Sequence, residues 1–209
     1  MDTISLEWSA VTGHYRVPGA VETMGTARCY PFCPPSTMAG AVESLCGREF
    51  GDFRATGSEM ALGWIRRPVG RGALLRREQG FANPQEKIHF TDSGRVIKEN
   101  WRPVIREVLF LPVYRCDIRG PYVELIRKAL KGEVDRHSVL SLGDSDDMVD
   151  WICETDKPAE WLIPGNEFIL PVRVHRSWDR LGPVTKGFQL SETRMTPPDE
   201  AWITPGGAV

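Results

Sequence analysis

The stretch GHYRVPGAVETMGTARCYPFCPPSTMAGAVESLCG, Gly13 to Gly47, joins the first strand signal of the chain to its first helix signal. Just upstream, ISLEWSAV (4–11) alternates Ile4, Leu6, Trp8 and Ala10 with polar neighbours. That period of two predicts a half-buried strand. A loop with Tyr15, Arg16, Pro18 and Gly19 follows. Further on, Met38, Ala41, Val42 and Leu45 fall at i, i+3, i+4 and i+7, the spacing of one apolar helix stripe. Ser36 or Thr37 is placed to cap that helix, and Gly47 to end it in the left-handed conformation. The small residues Ala39 and Gly40 would let the first turn lie close to a neighbour.

Working outward, MALGWIRR (60–67) and GALLRREQGF (72–81) read as strands. KIHFTDSGRVIK (87–98) reads as a hairpin around Asp92-Ser93-Gly94. RPVIREVLFLPVYRCDI (102–118) predicts two strands broken at Pro112. A second helix is expected over about 121–131, with Val123, Ile126, Ala129 and Leu130 as its stripe, Pro121 in its first turn and Gly132 at its end. HSVLSLG (137–143) reads as a short strand ending in a glycine turn, and EFILPVRVH (167–175) as the last good strand. The order β-α-β-β-α-β with antiparallel pairs is the ferredoxin-like pattern. The expectation is therefore an α+β, ferredoxin-like domain over residues 1–195. A β-hairpin arm is inserted at about 66–108, and a loosely ordered Pro- and Gly-rich tail follows over 196–209.

The 209 residues suffice for one domain with a core of its own. No apolar run approaches the ~20 residues that span a bilayer, and MDTISLEW has neither the basic start nor the apolar core of a signal peptide. The expected location is cytoplasmic, away from membranes. The cysteines are Cys29, Cys33, Cys46, Cys116 and Cys153. An odd number in that compartment predicts reduced, partly buried thiols rather than a disulfide framework. A zinc site from His14, Cys29, Cys33 and Cys46 matches no established spacing, so no cofactor is expected.

The net charge of −2 is not that of a nucleic-acid binder, but the charge is polarised along the chain. From Met60 to Arg115 there are 11 basic residues against 5 acidic, a local +6. From Asp144 to Glu160 there are 7 acids against one lysine, a local −6. Of the 26 basic residues, 20 are arginine. The guanidinium fork binds two phosphate oxygens at once and stacks on bases. Ordinary surface charge is the plainer reading of the same residues.

Tyr15, Arg16 and Pro18, followed by Tyr30, Pro31, Pro34, Pro35, Ser36 and Thr37 and then by Gly40, Leu45 and Gly47, resemble the N-terminal signature of the CRISPR-associated family five. These are the RAMP proteins that hold the 5′ handle of a guide RNA. HSVLSLGDSD is similar to a second family segment, a short strand running into the Leu142-Gly143 turn; Asp144 stands where the family usually has a basic residue. The resemblance is specific over about 13–47 and otherwise rests on element order. It implies an RRM-type fold with a protruding hairpin thumb and a place at the foot of a Cascade-like effector complex in antiviral defence. The implied partners are the crRNA handle, a backbone RAMP subunit, a large subunit and, through the complex, target DNA.

Single-stranded RNA is held by stacking surfaces and forked cations. The candidates for these are His14, Tyr15, Arg16 and Arg28, then Ser36 and Thr37 with the helix start, and Arg66, Arg67, Arg71, Arg76 and Arg77 of the arm. Leu74, Leu75 and Phe81 would pack the arm while its arginines reach phosphate, and the acidic 144–160 stretch suits a protein-facing surface or solvent. The expected function is non-catalytic crRNA binding. One alternative is metal-independent cleavage of repeat RNA, with His14, Tyr15 and Lys87 or His89 as candidates. The other is a RAMP subunit of another effector type with mainly protein contacts. No Walker loop, Gly-x-Ser-x-Gly, His-Glu-x-x-His or dinucleotide fingerprint is present.

Overall fold

The computed structural model describes residues 2–15, 17, 26–49, 51–79, 101–136, 139–143, 147–173 and 184–205, with backbone only at 26, 27, 76–79, 101–104 and 173. Arg16, the 87–98 hairpin with Lys87 and His89, and the histidines at 137 and 175 lie outside the described residues.

The chain forms a mixed α/β structure, mostly antiparallel sheet with few helices. The larger sheet has six strands. They are β1 (Thr3–Ala10), β4 (Glu59–Arg66), β7 (Val113–Arg119), β8 (Val149–Glu154), β9 (Ala159–Arg173) and β10 (Val184–Arg194), in the spatial order β10-β9-β4-β7-β1-β8. All neighbours are antiparallel. Helices α1 (Pro35–Leu45) and α3 (Val123–Leu130) carry the crossovers from β1 to β4 and from β7 to β8. They bury Met38, Val42, Leu45 and Ile126 in one core with Leu6, Trp8, Leu62, Tyr114 and Cys116. A short helix α2 (Asp52–Ala55) follows α1.

A smaller sheet is joined to the larger one through the β1–β2 and β6–β7 connections. Its strands are β2 (Thr12–Gly13), β3 (Thr26–Ala27), β5 (Gly70–Gln79) and β6 (Trp101–Phe110). β6 is central: β5 runs along one edge from Gly70↔Phe110 to Gln79↔Trp101, and β2 and β3 share the other. β6 passes to β7 through Leu111, whose φ of 52° turns the chain, and through Pro112. The expected break at Pro112 is therefore present, one residue wider.

Several expectations change. Helix α1 starts two residues earlier than a Ser36 cap would place it, and three earlier than a Thr37 cap. Pro34 is the N-cap and Pro35 the first helical residue, with the Thr37 and Met38 amides both donating to the Pro34 carbonyl. Proline has no N–H to leave unsatisfied there, so no side-chain cap is needed. Gly47 does end the helix at φ +62°, and the Arg48 amide donates back to the Glu43 carbonyl. β1 is buried on both faces, since Glu7 and Ser9 are covered as well as Leu6 and Trp8. Residues 139–143 form no strand. Leu140 and Leu142 instead hold a turn against Asp147 and Val149, and the edge strand is the acidic VDWICE of β8. β10 had no expectation at all. Within the tail, Ile203 and Met60 exchange both backbone hydrogen bonds at 2.8 Å, and Ala201 is buried beside Trp161.

Candidate nucleic-acid interface

The turn after β1 and the approach to α1 meet. The Tyr30 amide donates to the Tyr15 carbonyl at 2.7 Å, and the Val17 amide to the Arg28 carbonyl at 3.0 Å. Phe32 then inserts edge-on against Trp64 and Tyr114, with centroids 4.7 and 5.4 Å away, and the chain enters α1. Asp147 ties the same corner to the far end of the sequence. Its carboxylate accepts from the Thr12 hydroxyl at 2.7 Å and the His14 amide at 2.8 Å. Gly143, at φ +106°, lies so near that a Cβ there would sit 2.6 Å from the His14 carbonyl. The two segments that carry the family resemblance, about 13–47 and the Leu142-Gly143 turn, thus touch in space.

The side chains at this corner divide sharply. Tyr15 is 2% exposed and His14 3%. The Tyr15 ring packs edge-on to Tyr114 at 6.3 Å, so its faces are not open to a base. His14 Nδ1 sits 2.6 Å from the Glu107 carbonyl. A carbonyl only accepts, so Nδ1 carries a proton. Ser36 is 4% exposed and Thr37 half-buried. His14, Tyr15 and Ser36 thus build the corner from inside, where Tyr15 joins Phe32 in the core beneath β7.

The arginines face out. Arg28 is exposed immediately after β3, Arg66 at the end of β4 and Arg71 at the start of β5. Arg71 Nη2 reaches the Cys29 carbonyl at 3.3 Å, which brings it to the same corner as Arg28. Arg66 makes one long contact, 3.5 Å, to the Leu111 carbonyl. Arg67 is different: Glu160 grips it with two hydrogen bonds, at 2.6 and 3.0 Å, and offsets its charge. Arg76 and Arg77 lie on β5 where the backbone alone is described. The corner therefore presents Arg28, Arg66 and Arg71 as forked cations around the base of the β5–β6 pair.

The thiols lie inside. Cys29, Cys33, Cys46 and Cys116 are buried and unpaired, and Cys153 is exposed. Burial pushes the Cys29 thiol up to about 11 and Cys46 to about 12, and raises Cys33 and Cys116 further. Burial favours the protonated thiol at all four. Among the described residues no group of His, Cys, Asp and Glu is arranged to hold a metal.

Three structural carboxylates carried no sequence signal. Asp147 read only as part of an acidic run. Glu107, whose carboxylate accepts from the Cys29 amide at 3.1 Å, read as surface on a strand. Glu43, on α1, accepts from the Gly51 and Phe53 amides at 3.0 and 2.8 Å and caps α2. Each pairs with backbone far away or across a turn, and no spacing rule encodes that.

No family model matches the sequence, and no curated protein does. The fold does match. A chain of a solved "CRISPR RNA-guided surveillance complex" superposes with a TM-score of 0.61 at 14% identity, over 92% of this chain and 90% of that one. The chain has the fold of a CRISPR surveillance-complex subunit. A solved protein described as a Cas protein aligns over 91% of this chain and 94% of that one, at 13% identity and a TM-score of 0.47. Among the described residues no helix is long and apolar enough to cross a membrane.

Proposed function

We propose that this chain is a non-catalytic guide-RNA-binding subunit of a Cascade-like CRISPR effector complex, which grips the 5′ handle of the crRNA and nucleates assembly. The observation that carries the proposal is the fold it shares, over 92% of its length, with a chain of an RNA-guided complex. The strand order β8-β1-β7-β4, all antiparallel and with helical crossovers, supports a ferredoxin-like RAMP core. The β5–β6 pair is the thumb in this reading. Leu75 and Ile105 are opposite each other in its register and both exposed, which suits a surface that packs on a backbone RAMP subunit. RNA enters at the base of the thumb, where Arg28, Arg66 and Arg71 fork phosphates while the buried Tyr15, His14 and Asp147 fix the corner beside Arg28. Arg16, which follows Tyr15 in the sequence, is included in the proposal.

The test is binding of single-stranded RNA corresponding to a CRISPR repeat-derived handle. Arg28→Glu and Arg71→Glu should each weaken it by about tenfold, the worth of one charge-assisted contact. Lys186→Glu makes the same charge change on β10, whose register puts it far along the sheet from Glu160. It should change affinity by less than about twofold. The RNA should stay intact in a chelator. Equal losses from all three variants would remove the assignment of this corner, and a cleaved product would replace binding with catalysis.

A further inference from the structure

We infer that the open edge of β8 and the groove beside it receive an extended, basic segment of a protein partner, by strand addition. This goes beyond the RNA reading and stands independently of it. β8 is the last strand of the six-stranded sheet, and no described strand pairs with its outer side. The Thr155 amide donates to the Ser5 carbonyl, and the register runs Cys153↔Glu7 and Trp151↔Ser9. In an antiparallel ladder alternate residues point their backbone groups to each side. Ile152 and Glu154 therefore aim their N–H and C=O outward, ready to pair.

The edge is blunted only at its start, where a bulge shifts the register and the Val149 amide donates to the Leu140 carbonyl. From Ile152 to Glu154 no described segment covers it, and Trp151 is 44% exposed, with Val139 and Met148 still more open. A groove of about 930 Å³ runs alongside, between β8 and the chain after α3, lined by Val134, Asp135, Arg136, Val139, Asp150 and Trp151. Exposed apolar side chains next to an open backbone edge fit a peptide that adds a strand and drops alternate side chains into the groove.

Charge selects the occupant. Exposed Glu133, Asp135, Asp150, Glu154 and Asp156 surround the edge, against Lys131, Arg136 and a Lys157 that Glu7 already holds at 2.7 Å. RNA is repelled here. A second copy is disfavoured too: antiparallel self-pairing centred on Ile152 would set Asp150 opposite Glu154, and like charges directly opposite destabilise a ladder. The segment that fits is basic-x-apolar-x-basic, with its cations over Asp150 and Glu154 and its apolar residue over Ile152.

The probe is the peptide Thr-Lys-Thr-Val-Thr-Lys-Thr, with a control in which glutamate replaces both lysines. At low ionic strength the wild-type chain should bind the lysine peptide saturably and the control at least tenfold more weakly. Exchange of the Ile152 and Glu154 amides, fast in the free chain, should slow on binding. Glu154→Pro removes an outward N–H that β1 does not use. It should lose binding by tenfold or more with unchanged thermal unfolding, while Glu154→Gln loses less than threefold. Asp150→Lys with Glu154→Lys should reverse the peptide preference. Absence of saturable binding, equal binding by Glu154→Pro, or concentration-dependent self-association of the wild-type chain through β8 would each overturn the inference.

Discussion

Tyr15 and Arg28 belong to neighbouring backbones joined by two hydrogen bonds, yet one side chain points into the core and the other into solvent. The corner thus combines buried aromatic residues that fix its backbone with an exposed cation on its surface. Buried charges at this scale make sharp predictions. Arg115 holds Asp117 through two hydrogen bonds at 2.8 and 3.1 Å, donates to Ser5 and the Lys157 carbonyl, and lies 5.1 Å over the Trp161 ring. Arg115→Ala strands a buried carboxylate and should cost about 3–5 kcal/mol in urea unfolding. Glu43 is a titration test. Desolvation raises its carboxyl above the usual value, partly offset by the Gly51 and Phe53 amides. The folded chain then holds this proton more tightly than the unfolded chain. Its contribution to stability is largest below the ordinary carboxylate value and is lost as pH rises through the raised folded one. Glu43→Gln should abolish that slope just above the ordinary carboxylate range. It should also lower stability by about 1–3 kcal/mol, because the amide can accept from only one of the two N–H groups.

Elements with strong local patterns were readable from the sequence, and those made by distant partners were not. The stripe Met38, Ala41, Val42, Leu45 and the Gly47 stop gave α1, and the alternation of Ile4 to Ala10 gave β1. β8 and β10 lacked such runs: VDWICE alternates only weakly and lies at an edge, and VTKGFQLSETR is mostly polar. They are strands because β1 and β9 offer them partners. The same holds for the tail, whose prolines suggested looseness but whose Ala201, Trp202 and Ile203 cover Trp161, Arg119 and Met60. Removing residues 195–209 should therefore destabilise the chain by about 3 kcal/mol, mainly from the Ile203 side chain and its two backbone hydrogen bonds. Thermal unfolding of the truncated chain, compared with the full one, checks this. A freely dangling tail would leave the midpoint unchanged.

On the scale of the whole molecule, charge and topology agree. The basic segment leaves β4 and returns through β6 to β7, so that among the described residues Arg66 and Arg71 lie exposed at one corner of the sheet with Arg28, while the acidic segment forms β8 at an edge. With Arg28, Arg66 and Arg71 each meeting a phosphate, log affinity for single-stranded RNA should fall against log salt with a slope of about −2. The most direct measurement is photo-crosslinking of a handle RNA carrying photoreactive uridines, followed by mapping of the crosslinked peptides. The account expects crosslinks within residues 12–37 and 66–79 and few in β8 to β10. Crosslinks concentrated in 147–194, with the 12–37 corner unmarked, would contradict it.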